Sequence, residues 1–198
     1  MISELIDSAV QLAIFGIVPF IWWLLTARKK ESFFKWIGLK KTANIKAVYL
    51  PTIVTIIGFM IVGYITLYMI RDVETATTSY TGLGIAGIPT VIVYALIHTS
   101  LSEELLFRGF LLKRISTKFG FIAGNLMQAI LFGLLHGVMF VEYVGNVKAI
   151  IIILFTGTLA FVMGYINEKK ADGSILPSWS IHFISNLFSG ILSVFSIL

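Results

Sequence analysis

"AGIPTVIVYALIHTSLSEELLFRGFLL", residues 86–112, is long and apolar enough to cross a bilayer, yet it carries Glu103, Glu104 and Arg108. A membrane-spanning helix needs about 20 mostly apolar residues. Five further runs approach that length, at roughly 8–26, 47–70, 119–140, 148–167 and 174–197. The chain has 198 residues, 58% of them hydrophobic and 13% charged. A soluble domain of this size needs more polar surface than that. The expected fold is therefore all-α: a polytopic membrane helix bundle of about six transmembrane helices, one membrane domain overall.

Charge supports the count and orients the chain. Lys and Arg number 0, 7, 1, 4, 1, 2 and 0 from the segment before the first span to the one after the last. Basic connections stay in the cytoplasm, so the odd-numbered connections are expected inside and both termini outside. The net charge of +5 is read as this topology rather than as an anionic partner, and no nucleic acid is expected. The start, "MISELID" (1–7), has no basic segment, so no cleavable signal peptide is expected. Cysteine is absent, which excludes disulfides, thiol nucleophiles and thiolate metal sites. The first connection, "RKKESFFKWIGLKK" (28–41), mixes aromatic residues with lysines and reads as an interfacial helix anchoring the inner leaflet.

An ionisable residue at the bilayer centre costs about 2.5–3.5 kcal/mol on insertion scales. Such residues need partners and mark candidate functional sites. Glu104 and Arg108 are spaced i,i+4 and can pair on one helical stripe. Glu103 points about 100° away and is left without a local counter-charge, as a general base requires. "SLSE" (100–103) also matches a capping box, but the apolar pattern runs through it.

Two more polar stripes follow. Asn125, Gln128, Phe132 and His136 share one face of the fourth span. Ser178, His182, Asn186 and Ser189 share one face of the sixth. Polar side chains in membrane helices face the bundle interior, so three helices offer converging polar faces within the membrane. His98 falls on another face of span three and reads as structural. Gly133 and Gly137 form GxxxG, a close-packing site. "GLGIAG" (82–87) follows no strand and is not a dinucleotide site. Neither GxSxG nor HExxH occurs.

The depths conflict. Glu103 lies about 15 Å from the inner end of its span, whereas His136 lies deeper if the fourth helix begins at Phe119. A later start near Asn125, with 115–124 along the interface, is expected to remove the conflict.

The three polar sets resemble the CPBP family, the CAAX-protease and bacteriocin-processing group also called Abi. The family pattern of EExxxR, FxxxH and HxxxN stands here as "EELLFR" (103–108), "FGLLH" (132–136) and "HFISN" (182–186), in order. The resemblance covers about residues 86–190. It implies a catalytic core over 86–198, with residues 1–85 supplying two further spans and the basic connection.

The resemblance further implies an intramembrane endopeptidase acting on a membrane-associated peptide or protein, in peptide maturation or bacteriocin self-immunity within a bacterial cell membrane. By analogy, Glu103 and His136 activate a water, and His182 and Asn186 stabilise the oxyanion. Glu104 and Arg108 hold the site in register, and Phe132 packs beneath it.

His136, His182 and a glutamate are also zinc-ligand types, so the sequence leaves a metalloprotease and a metal-free hydrolase both open. Two other classes compete: a catalytically silent scaffold for a sensor or transporter, and a proton-coupled transporter using Glu103 and His136. Intact motifs disfavour the first, and the lack of evident inverted repeats disfavours the second.

Overall fold

The computed structural model describes residues 1–42 and 44–198. Helices α1 (Ile2–Thr26), α2 (Phe33–Ile37) and α3 (Ile45–Met69) lead into α4 (Gly84–Phe119). The next helical stretch, Phe121–Lys169, is two helices, because Gly145 adopts φ 76 and ψ 166 within it. Only glycine takes that conformation readily. We number the halves α5 (121–144) and α6 (146–169), and the last helix α7 (Leu176–Val194). No strand occurs among the described residues.

Four stretches are long and apolar enough to cross a membrane, and the fourth of them is the α5–α6 pair. The shorter α7 carries the serines, His182 and Asn186 that dilute its apolar character. The chain is thus a polytopic helical membrane protein, with helical segments at all six expected positions. Large apolar side chains such as Leu25, Leu50, Ile61 and Val138 lie on its outer surface, where lipid rather than water is their natural neighbour.

Helix α4 departs from the regular α-helix assumed for it. Tyr94–Leu101 and Leu105–Leu112 are π-helical, flanking one α-turn at Ser102–Glu104. Two hydroxyls favour the wider turn by bonding five residues back: Thr99 Oγ1 donates to the Tyr94 carbonyl at 3.3 Å and Ser102 Oγ to that of Ile97 at 3.1 Å. π-Segments recur at functional sites. Helix α4 runs unbroken through Ser100 to Glu103, so no capping box starts there.

The expected interfacial stretch at 115–124 is not found. Residues 113–119 continue α4, a turn at Gly120 (φ 83) reverses the chain, and α5 starts at Phe121. The depth conflict disappears for a different reason: α4 extends further than its apolar run suggests. Glu104 lies sixteen residues before Gly120 and His136 sixteen after it, so the two reach similar heights on neighbouring helices.

The first connection is also more deeply built in than an interfacial anchor. Helix α2 has only five residues, and Trp36 and Ile37 are buried against Leu105, Phe110 and Ile175. Phe34 alone among its aromatic residues stays largely exposed. The Ile175 amide donates to the Gly38 carbonyl at 2.9 Å. The connection thus braces the lower end of α4 and the start of α7.

Close packing of α5 on α6 rests on glycine. A Cβ on Gly133 would stand 2.6 Å from the Ile153 carbonyl, and one on Gly137 2.1 Å from Ile153 Cγ1. The GxxxG pair therefore does what its spacing suggests, with Gly157 opposite Gly133.

Candidate active site

Glu104 is fully buried and anchors a network across three helices. Its Oε1 lies 3.1 Å from Arg108 Nη1 and 3.1 Å from His182 Nδ1. Its Oε2 accepts a very short hydrogen bond from Ser178 Oγ. Ser178 in turn accepts from Asn167 Nδ2 at 2.7 Å, while its backbone amide donates to Asn167 Oδ1 at 3.3 Å. Burying a carboxylate is costly unless its lone pairs are satisfied, and three neighbours do that here.

Arg108 is held less conventionally. Its approach to Glu104 is an ion pair, but no guanidinium nitrogen has an aligned acceptor among the described residues. The guanidinium instead lies over the Phe132 ring, 4.3 Å from its centroid. A cation over an aromatic face is stabilised by the ring quadrupole. Phe132 also contacts both histidines, its centroid 4.3 Å from that of His136 and 5.9 Å from that of His182.

Glu103 faces away from this network. Its Oε2 is buried, has no aligned hydrogen-bond partner, and stands 3.7 Å from His182 Nε2. His182 therefore spans the two adjacent glutamates, Nδ1 toward Glu104 and Nε2 toward Glu103. A hydrogen bond at one ring nitrogen sets the tautomer at the other. His136 is fixed in the same manner: Nδ1 lies 2.8 Å from the Phe132 carbonyl. Only Nδ1–H can donate to a carbonyl, so neutral His136 presents Nε2 as an acceptor.

Glu103, His136, His182 and Asn186 line one cavity of about 260 Å³, with Phe59 and Phe155 among its apolar walls. Asn186 is less free than expected: Nδ2 donates to Thr99 Oγ1 at 2.6 Å and to Ser100 Oγ at 3.3 Å. The second bond is long and weak.

A family model describing the Rce1-like type II CAAX prenyl endopeptidase matches residues 85–188. The chain belongs to that family. This Rce1-like protein is therefore, at family level, a CAAX-protease-like endopeptidase of membranes. No curated protein and no solved structure matches it. The matched residues enclose all four cavity-lining groups and the whole Glu104 network.

Several Rce1-like site contacts were not legible from spacing. Asn167 sits near the C-terminal end of α6, and nothing in its spacing singles it out. Ser178 had been placed on the polar stripe of α7, but its bond to Glu104 had no sequence signal. Tyr94 lines the cavity with Glu103 because the π-segment changes the angular spacing along α4, whereas Thr99, four residues before Glu103, shares its face in a regular helix as well. In a regular α-helix, Tyr94 and Glu103 would face opposite ways.

His98 lies in a separate polar cluster, in keeping with its expected structural role. Its Nδ1 is 2.7 Å from Glu4 Oε1, and Tyr80 Oη donates to Glu4 Oε2 at 2.6 Å. Tyr80 lies outside the spans. Burial and the Glu4 carboxylate push its hydroxyl well above the ordinary tyrosine range, so it remains a donor.

The donor types around the cavity suit zinc, but their arrangement does not. Among the described residues, no three His, Asp or Glu side chains converge closely enough to share one ion. As they stand, these groups do not form a ligand set.

Proposed function

We propose that this Rce1-like protein hydrolyses a peptide bond in a membrane-associated peptide or protein by glutamate-dependent water activation. One observation carries the reading: Glu103, His136 and His182 come from three helices and line one cavity. Residues 86–198 form the catalytic core in this reading, and α3 of the first 85 residues supplies part of the cavity wall.

Glu103 is the general base. Its Oε2 has no aligned protein partner and can accept a water proton, while the free Nε2 of His136 holds the same water as acceptor. The water oxygen attacks the scissile carbonyl carbon. His182, protonated on both ring nitrogens with Nδ1–H on Glu104, donates Nε2–H to the oxyanion that forms, and the weak Asn186–Ser100 bond is the one a substrate oxygen would replace to gain a second donor. Collapse of the intermediate breaks the C–N bond. The proton held by Glu103 passes to the leaving nitrogen, giving a carboxylic acid and an amine, which separate as carboxylate and ammonium. Glu104 touches no reacting atom. It fixes His182 Nδ1, with Arg108 and Ser178 holding Glu104 and Asn167 holding Ser178.

Peptide maturation and bacteriocin self-immunity in a bacterial cytoplasmic membrane are the settings we favour, with both termini outside. The test is mass spectrometry of processed termini in cells carrying wild type, Glu103→Gln or His182→Ala. Specific termini are expected to vanish in both variants at unchanged protein level. Persistence of every terminus, together with a surviving wild-type phenotype, would favour a scaffold.

A further inference from the structure

An open cleft of about 600 Å³ lies where α1 ends, α2 begins and α4 runs toward the Gly120 turn. Trp22, Lys30, Glu31, Trp36, Arg114 and Lys118 line it. None of them belongs to the Glu104 network or to the cavity at Glu103. Helix α1 has 25 residues, which makes it about 37 Å long at 1.5 Å per residue. The hydrocarbon core of a bilayer is about 30 Å thick. The cleft sits at the C-terminal end of α1 and therefore at the level of the lipid headgroups.

The cations of this cleft differ from their neighbours. At the same end of the bundle, Lys40 pairs with Asp172 at 3.4 Å and Lys113 with Glu168 at 2.6 Å. Lys30, Arg114 and Lys118 have no carboxylate at ion-pairing distance among the described residues. Arg114 is held in place without one. Its guanidinium lies over the Trp36 ring, 4.3 Å from the centroid, and its Nε is buried with no acceptor. Stacking on an indole fixes a guanidinium while leaving its in-plane N–H groups to bond elsewhere. Glu31 alone opposes the three cations in the lining, so the cleft stays positive.

The lining also selects the kind of anion. Thr26 and Thr117 donate their hydroxyl protons to the Trp22 and Lys113 carbonyls, at 2.7 Å each, so the cations supply the donors. Such a set suits an anion rich in oxygens, with the guanidinium fork matched to phosphate. The flank of the cleft is apolar: Trp22 is exposed, as are Leu25 and Phe119 beside the lining residues Thr26 and Lys118. Tryptophan at this depth is at home among headgroups. A free phosphate has nothing to set against that flank, whereas a phospholipid has acyl chains.

We propose that this cleft binds the headgroup of an anionic phospholipid, with the phosphodiester among Lys30, Arg114 and Lys118 and the acyl chains along the lipid-facing side of α1. Basic pockets between membrane helices recognise such headgroups by charge. The site is separate from the cavity at Glu103 and does not depend on peptide-bond hydrolysis. Its occupant joins α1 and α2 to α4, the helix that carries both glutamates.

The test is native mass spectrometry of the purified chain in detergent, offered equal amounts of phosphatidylglycerol and phosphatidylcholine. One cation beside an anionic lipid is worth about fivefold in binding, so wild type is expected to retain phosphatidylglycerol over phosphatidylcholine by about tenfold or more. Lys30→Gln/Lys118→Gln changes two exposed positions that the fold does not need and is expected to lose about fivefold or more of that preference. Arg114→Gln is expected to lose it as well. Lys29→Gln/Lys35→Gln removes the same charge from exposed positions outside the cleft and is expected to keep it. A ligand of the folded state raises its stability, so phosphatidylglycerol is expected to raise the unfolding temperature of wild type more than that of Lys30→Gln/Lys118→Gln.

Equal retention of the two lipids by wild type overturns the proposal. An equal loss of preference in the two double variants also overturns it, because the preference would then belong to the basic surface at large. Inorganic phosphate that stabilises wild type as much as phosphatidylglycerol does would mark a site for free phosphate and overturn the lipid assignment.

Discussion

His182 reaches Glu104 through Nδ1 at 3.1 Å, and that contact turns its Nε2 toward Glu103, 3.7 Å away. Adjacent glutamates on one helix are thus given different work by one imidazole. The buried glutamate is tied by a histidine, an arginine and a serine. Its neighbour faces a cavity.

The two glutamates should therefore fail differently when altered. Glu103→Gln is expected to lower cleavage by about 10²–10⁴-fold, the usual contribution of a general base, with thermal stability unchanged. Glu104→Gln removes the charge paired with Arg108 and is expected to destabilise by about 3–5 kcal/mol. Thermal unfolding in detergent beside a cleavage assay separates them. Equal loss of stability in both would refute the division of roles.

Close contact of α5 with α6 gives a packing prediction. Gly133→Ala places a Cβ against the Ile153 carbonyl, which is backbone and cannot swing aside. A cost of about 1–3 kcal/mol is expected, read as a lower unfolding temperature. Gly16→Ala, where a Cβ meets nothing within 4 Å, is the matched control and should cost far less.

The Glu4–Tyr80 contact predicts an alkaline effect. Tyr80 keeps its proton in the folded state to higher pH than in the unfolded chain. Its contribution to stability is present below the unfolded value of about 10 and is lost as pH rises past it. Tyr80→Phe should flatten the fall in stability between about pH 9 and pH 11 relative to wild type. An unchanged slope would show that Tyr80 is not held in this manner.

Chelation is the fourth test. The three zinc-type donors do not converge, so 1,10-phenanthroline is expected to leave cleavage within about twofold, a change below 0.5 kcal/mol. Loss of activity restored by added zinc would show that the side chains regroup around an ion.

The helical membrane fold was legible because apolar length and basic asymmetry are coarse signals that survive local irregularity. The convergence of Glu103, His136, His182 and Asn186 was legible because each polar stripe has only one interior to face. The π-segments of α4 were not, since Thr99 and Ser102 reveal their five-back bonds only once the backbone is seen. The same widening brings Tyr94 to the cavity. The start of α5 was misjudged because residues 113–119 are polar enough to look interfacial, whereas Lys113 is held by Glu168 at 2.6 Å and by the Gly173 carbonyl at 2.8 Å. Asn167 and the bond of Ser178 to Glu104 escaped notice because a hydrogen bond between helices leaves no periodic trace.

The most direct test of the central claim is cleavage by the purified protein reconstituted in lipid vesicles, given the membrane peptides of its own cells and followed by mass spectrometry of new termini. Wild type is expected to generate discrete termini, and Glu103→Gln none above background. Discrete termini from Glu103→Gln at the wild-type rate would contradict the account.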